Sequence, residues 1–306
     1  MWNERLQWNR FNTLGRLGRI GEVLRWYPLP VRKPARRVAI VVPLSNRTDL
    51  LPSEHTSLGH LQAHLQNYDK FFIAPPGLEV PVHPGFQIQR FPNRFFGSAK
   101  AHNRLLIWPG FYQAFLNYEF ILIYHLDALV FSDQLSYWCD QGYDYIAPPW
   151  LKLPGAPYPD NIEFAGKVGC GGFSLRRVRS FLRVLQSGKR IFDTDAQWRR
   201  RHGKKSVFAK IVHLPKKYIK RSRYFSGIRR EILLRYLPED SFWANRGTFY
   251  HPDFKVASVE TAVHFGFETL PRDCFAMTGG KLPFGCHAWE RYDPDFWRPF
   301  VRSSQG

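Results

Sequence analysis

The stretch Phe120-Ile121-Leu122-Ile123-Tyr124-His125-Leu126-Asp127-Ala128-Leu129-Val130-Phe131 lies near the middle of the chain, bounded by Asn117 and Glu119 on one side and Ser132 and Asp133 on the other. It is apolar, rich in β-branched residues and too short for a membrane span, a pattern that predicts a buried strand. Asp127 interrupts it. An unpaired carboxylate in apolar surroundings costs roughly several kcal/mol unless a metal, a cation or a set of donors meets it. Two readings follow. Either Asp127 stands past the carboxyl end of a strand, where open α/β sheets bind ligands, or it caps a helix or pairs with an Arg.

Working outward, Val38 to Val42 predicts a first buried strand, ended by Pro43, with Asn46 and Arg47 in the loop that follows. Helical spacing runs over 53–67, with Ser53 as cap and Leu58, Leu61 and Leu65 on one face. Strands are expected at 71–74 and 86–91, and helical pieces at 98–107 and 109–117, broken at Trp108-Pro109. Lys100 and Asn103 fall on the first piece. A short helix over 133–142 and a strand over 145–147, closed by Pro148-Pro149, complete the alternation. This order predicts an α/β fold: one Rossmann-like domain with a mainly parallel, twisted sheet and helices on both faces.

Further on, Lys167-Val168-Gly169-Cys170-Gly171-Gly172-Phe173-Ser174-Leu175-Arg176 predicts a loop whose glycines let backbone approach a ligand. Ser174 is the expected N-cap of a following helix that places Leu175, Val178, Phe181, Leu182 and Leu185 on one face. Neither dinucleotide-binding nor P-loop glycine spacing is present. Glu239 and Asp240 precede an apolar helical stretch, where acids suit the helix dipole. His287 lies in a late turn rich in glycine and aromatics.

The net charge of the 306 residues is +19. Residues 1–37 hold nine Lys or Arg against Glu4 and Glu22, and residues 189–235 hold sixteen against Asp193, Asp195 and Glu231. The remainder is close to neutral. Residues 1–37 are therefore expected to form a basic arm, either an amphipathic helix bearing Trp2, Trp8 and Trp26 or a disordered segment. Residues of about 189–235 are expected to form a basic insertion. Both suit an anionic partner, a membrane surface or a nucleic acid. Cys139, Cys170, Cys274 and Cys286 lack disulfide or zinc spacing and are expected to be free buried thiols. With no apolar run of ~20 residues and no signal-peptide pattern, the expected location is cytoplasmic, on or near the inner face of a membrane.

In combination, the strand ending in Asp, the Gly-Gly-Phe-Ser-Leu-Arg turn, the Glu-Asp pair and the late Gly-x-His resemble a GT-A type glycosyltransferase. More closely, Tyr124 to Phe131, Tyr143 to Trp150, Gly169 to Arg176, Glu239-Asp240 and Pro283 to Trp289 resemble a microbial group of uncharacterised glycosyltransferase-like domains. The resemblance spans about Val38 to Trp289. It implies a catalytic domain over 38–306, with a nucleotide-binding half at 38–150 and an acceptor half at 151–306. It also implies transfer of a sugar from a nucleotide diphosphate sugar to a saccharide or glycolipid hydroxyl, in cell-surface polysaccharide or lipopolysaccharide synthesis.

By this resemblance Asp127 matches the metal-binding acid of a D-x-D-like motif whose first acid is replaced by His125, and His287 matches the late histidine of the metal shell. Mn²⁺ suits such a set better than Mg²⁺. Asp240 is then the expected general base, with Glu239 as second choice, which implies inversion at the anomeric carbon. Pro43, Asn46 and Arg47 would line the nucleotide, Lys100 and Asn103 the donor, Gly171 and Gly172 would admit donor and acceptor, and Trp150 would stack on a sugar. Two other classes stay open: a nucleic-acid-binding protein on a degenerate transferase scaffold, and a nucleotidyltransferase.

Overall fold

A computed structural model describes residues 33–44, 49–80, 83–157, 166–191, 194–203, 206–221, 228, 231 and 238–301. The arm at 1–32, Asn46 and Arg47 lie outside the described residues. In chain order the strands are β1 (Arg36–Pro43), β2 (Asp69–Ala74), β3 (Phe86–Arg90), β4 (Tyr118–Tyr124), β5 (Leu129–Val130), β6 (Tyr145–Ile146), β7 (Pro149–Trp150), β8 (Lys167–Val168), β9 (Phe173–Arg177), β10 (Gly266–Phe267) and β11 (Gly285–Cys286). The helices are α1 (Pro52–Leu65), α2 (Ala99–Leu106), α3 (Pro109–Ala114), α4 (Leu135–Asp140), α5 (Val178–Leu185), α6 (Thr194–His202), α7 (Val207–Arg221), α8 (Glu239–Tyr250), α9 (Val259–Phe265), α10 (Pro271–Met277) and α11 (Pro294–Trp297).

Six strands make the central sheet in the order β3-β2-β1-β4-β9-β6. The pairs β1·β2, β2·β3 and β1·β4 are parallel, while β9 runs against both β4 and β6. The expected α/β architecture is therefore present, with one reversed strand inside it. β1 is buried from Val38 to Val42 and β4 at every position but Glu119 because both sheet faces are covered, and such strands read as continuous apolar runs. Paired residues show which face is which. Tyr124 on one face donates to the Ser57 carbonyl of α1 at 2.9 Å, while Arg176 on the other reaches the Tyr112 hydroxyl of α3 at 3.1 Å.

The expected single strand over 120–131 is two strands in different sheets. β4 ends at Tyr124, a turn closes with Ala128 N–H donating to the His125 carbonyl at 3.0 Å, and Leu129–Val130 joins a separate sheet ordered β10-β11-β5. Asp127 lies in that turn. A second expectation fails at Ser174, which is no helix cap. Phe173–Arg177 pairs with β4, α5 begins only at Val178, and the Ser174 hydroxyl accepts from Arg176 Nε at 2.9 Å. The pairing with β4 takes these residues before a helix can start. Within the basic stretch the described residues form α6 and α7. All four cysteines are free and buried, and among the described residues no helix is long and apolar enough to cross a membrane.

Candidate active site

Chain order reverses between β1 and β4: β2 and β3 extend the sheet on one side of β1, and β4 returns on the other. Open α/β sheets bind ligands at such a switch point, outside the carboxyl ends of the strands. Val41 pairs with Ile123, so Pro43 and the His125 turn share this edge. Because β9 is antiparallel and Phe173 pairs with Tyr124, its entrance at Gly171-Gly172 arrives at the same edge. A backbone hydrogen bond from His125 N–H to the Gly172 carbonyl, 2.8 Å, locks the two turns together.

The second sheet delivers the remaining groups by register. Cys286 pairs with Leu129 and Phe267 with Cys286, so His287 emerges beside the Asp127 turn and Glu268 emerges beside His287. Asp127 Oδ1 lies 3.2 Å from His287 Nε2, and Glu268 Oε1 lies 2.7 Å from His287 Nδ1. Glu268 is itself held by Trp150 Nε1, 3.2 Å away, and by the Cys170 thiol at 3.6 Å. His125 Nε2 meets His102 Nε2 of α2 at 3.1 Å.

Charge in this cluster follows from burial and neighbours. Burial works against an ionised Asp127, but His287, with Nε2 3.2 Å away, holds it well below the usual carboxylate range. Burial likewise opposes a protonated His287. Cys170, Asp127 and Glu268 outweigh it and raise His287 well above an ordinary histidine. Cys170 is pushed up to about 12, mainly by burial, so it is a neutral thiol near pH 7 and the two acids carry the effect. Burial, with His102 and His287 as neighbours, lowers His125 well below its usual value, and burial with Arg176 lowers His102 to about 4.

One ligand atom each from His125, Asp127 and His287 lies within 4.8 Å of the others. The His287 Nε2 atom is buried without an aligned hydrogen-bond partner. Glu268 behind His287 Nδ1 is the arrangement that fixes a metal-ligating imidazole. One carboxylate and two imidazoles therefore fit a divalent cation, for which a proton on His287 would compete.

Asp240 approaches from α8. An added Cβ on Gly171 would lie 2.8 Å from Glu239 Oε1 and 3.9 Å from Asp240 Oδ2, and one on Gly172 would strike the His287 ring. The two glycines thus form the floor between the Asp127–His287 pair and Asp240. Gly172→Ala is accordingly expected to displace His287 and weaken divalent-cation binding at least about tenfold, with the fold retained, as read by calorimetric titration of Mn²⁺.

Glu239 is corrected. It is no second candidate base: both its oxygens accept from Arg176, at 2.9 and 2.8 Å, with both side chains at 0% exposure. This buried pair fastens the start of α8 beneath Gly171. Asp240, half-buried, accepts from its own Ser241 N–H at 2.7 Å. Burial and then the charge of Glu239 raise its carboxyl to about 7. Trp150 is corrected too, since it is 7% exposed and its indole is spent on Glu268, not presented to a sugar. Lys100 is exposed and Asn103 half-buried on α2, the helix that supplies His102. Pro43 ends β1 at the switch point.

The roles of three residues of the site have no local sequence signal, although Arg176 closes the Gly-Gly-Phe-Ser-Leu-Arg turn. Glu268 follows only a two-residue strand, His102 sits between Lys100 and Asn103, and Arg176 reads as a helix-surface cation. A separate cavity of about 520 Å³, lined by Lys33, Glu119, Asp144, Arg177, Arg183 and Lys255, opens where β4 begins and shares none of these residues.

Residues 85–287 match a family model described as Protein of unknown function (DUF5672), well over half of the chain. The chain belongs to this family. The matched part of this DUF5672 chain includes His102, Asp127, Gly171, Gly172, Asp240, Glu268 and His287. No curated protein matches it. Among solved structures it is similar to the galactosyltransferase LgtC in complex with donor and acceptor sugar analogues, at 11% identity and TM-score 0.43, over 86% of this chain and 95% of that one. It is also similar to the glycosyltransferase GlyE of Streptococcus pneumoniae TIGR4, at 10% identity and TM-score 0.40, over 87% of this chain and 60% of that one. A glycosyltransferase involved in glycosylation of the major capsid of PBCV-1 aligns at 8% identity and TM-score 0.38, over 86% and 98%.

Proposed function

We propose that the DUF5672 chain is a glycosyltransferase that moves a sugar from a nucleotide diphosphate sugar to a hydroxyl of a saccharide or glycolipid, with inversion at the anomeric carbon. What supports this most is the convergence of Asp127, His287, Gly171-Gly172 and Asp240 at the sheet's switch point. Departure of a diphosphate needs cationic stabilisation, and the incoming hydroxyl needs a base. His125, Asp127 and His287 would hold a divalent cation, Mn²⁺ in preference to Mg²⁺ given two imidazoles, and that ion supplies charge neutralisation to the diphosphate.

Asp240 takes the proton of the acceptor hydroxyl. The acceptor oxygen bonds to the anomeric carbon as the bond from that carbon to the diphosphate oxygen breaks, and the nucleoside diphosphate keeps the electron pair. Glu268 orients His287 through Nδ1. The glycines let the catalytic groups close in on this turn, since a side chain at Gly172 would strike the His287 ring and one at Gly171 would meet Glu239 at the start of α8.

The reading is tested by incubating the protein with a panel of sugar nucleotides and Mn²⁺. Release of nucleoside diphosphate, with an inverted anomeric product by NMR, is the expected result. A nucleotidyltransferase would instead release pyrophosphate when given a nucleoside triphosphate and a sugar 1-phosphate, and no release of nucleoside diphosphate from any sugar nucleotide would count against transfer. Glu268→Gln is expected to keep the fold while weakening Mn²⁺ affinity about 10–100-fold, the usual cost of losing a carboxylate behind a metal-bound histidine, measured by isothermal titration.

A further inference from the structure

The transfer reading leaves the basic stretch unused, and α7 (Val207–Arg221) is its most unusual part. Val207, Phe208, Ile211, Val212, Leu214 and Tyr218 are 40% to 78% exposed, whereas a soluble surface helix ordinarily turns such side chains inward. At 3.6 residues per turn these six positions fall within an arc of about 160°. The same fifteen residues contain Lys210, Lys216, Lys217, Lys220, Arg221 and no acid, and the cations occupy positions in the remaining arc. α7 lies against α6, where the His202 and His213 rings are 4.9 Å apart, and α6 carries Arg199, Arg200 and Arg201 in its last turn.

We propose that α7 docks the protein on an anionic lipid bilayer, lying in the interface with its apolar arc inserted and its cations among the headgroups. An exposed apolar arc beside one that carries five cations and no acid is the chemistry of interfacial helices. A second copy of this chain is a poor occupant, because facing cationic helices repel. A nucleic acid would satisfy the cations but leave the aliphatic arc in water. At fifteen residues α7 spans roughly 22 Å along its axis, which suits lying on a bilayer and not crossing it. The inference goes beyond sugar transfer, and vesicle binding requires no sugar nucleotide, so either reading can fail without the other.

The test is flotation of the full chain with vesicles of phosphatidylcholine plus phosphatidylglycerol, against phosphatidylcholine alone. The parent protein is expected to bind only the anionic vesicles. Phe208→Ser combined with Ile211→Ser is expected to lower partitioning at least about tenfold without changing the melting temperature, both side chains being exposed. As a second readout, Phe208→Cys labelled with an environment-sensitive dye is expected to brighten and shift blue on anionic vesicles. The four native thiols are buried, which directs the label to position 208. Equal partitioning of parent and double variant, no vesicle binding, or an unshifted dye would overturn the proposal. So would a dimer that the double variant dissolves, or binding to single-stranded RNA in place of vesicles.

Discussion

Asp240→Asn is expected to lower the rate of sugar transfer by about 10²- to 10⁴-fold, the usual contribution of a positioned general base. The amide keeps the size of the side chain and cannot take a proton, so donor and Mn²⁺ binding are expected to persist. The wild-type rate is expected to rise with pH through about 7, where the carboxyl ionises, and to level off above it. The same shift has a stability consequence. A carboxyl whose folded value is raised above its unfolded value favours the fold while protonated, and that favour fades as pH climbs from about 4 towards 7. Asp240→Asn is therefore expected to melt at a higher temperature than wild type at pH 8, while losing activity. A variant that lost activity because it was poorly folded would do the reverse. Rate assays and melting curves from pH 5 to 9 separate these outcomes.

The second large effect is on stability. Glu239→Ala leaves the Arg176 guanidinium fully buried, with only the Tyr112 and Ser174 hydroxyls as named hydrogen-bond partners. Removing one partner of a buried ion pair costs about 3–5 kcal/mol. Denaturant unfolding is expected to show a loss of that order. The matched replacement Arg176→Met with Glu239→Leu removes both charges together and is expected to recover most of it, because no buried charge is then left unpaired. Equal destabilisation in the single and double variants would mean that shape, not charge, holds α8 against β9.

The fold was legible where the chain buries both faces of a strand. β1, β2 and β4 announce themselves as apolar runs, and Asp127 stands out because an acid follows one of them. Where β4 stops was not legible, since Leu129 and Val130 are as apolar as the strand before them, and only pairing with β11 assigns them to another sheet. β9 was hidden differently. Phe-Ser-Leu-Arg-Arg alternates at period two, but its Arg176 is matched by a carboxylate 63 residues away, a partner no local pattern reveals. Glu268 was invisible for the same reason, because its role arises from the register that places β10 beside β11 and so Glu268 beside His287. Asp127 could be named because it interrupts an apolar run, whereas His125, His287 and Asp240 were reached through the resemblance to GT-A type glycosyltransferases and not from their local patterns.

The central claim is that Asp127 and His287 hold, with a divalent cation, the diphosphate end of a nucleotide at the switch point. The most direct measurement is thermal unfolding with Mn²⁺ and, in turn, UDP, GDP, CDP and dTDP, for wild type and for Asp127→Ala. At a hundredfold excess over Kd a bound nucleotide adds about 2.7 kcal/mol to the folded state. The account predicts that at least one of these pairs raises the wild-type melting temperature and that Asp127→Ala abolishes the rise. Melting temperatures unmoved by all four nucleotides, or a rise that survives in Asp127→Ala, would contradict it.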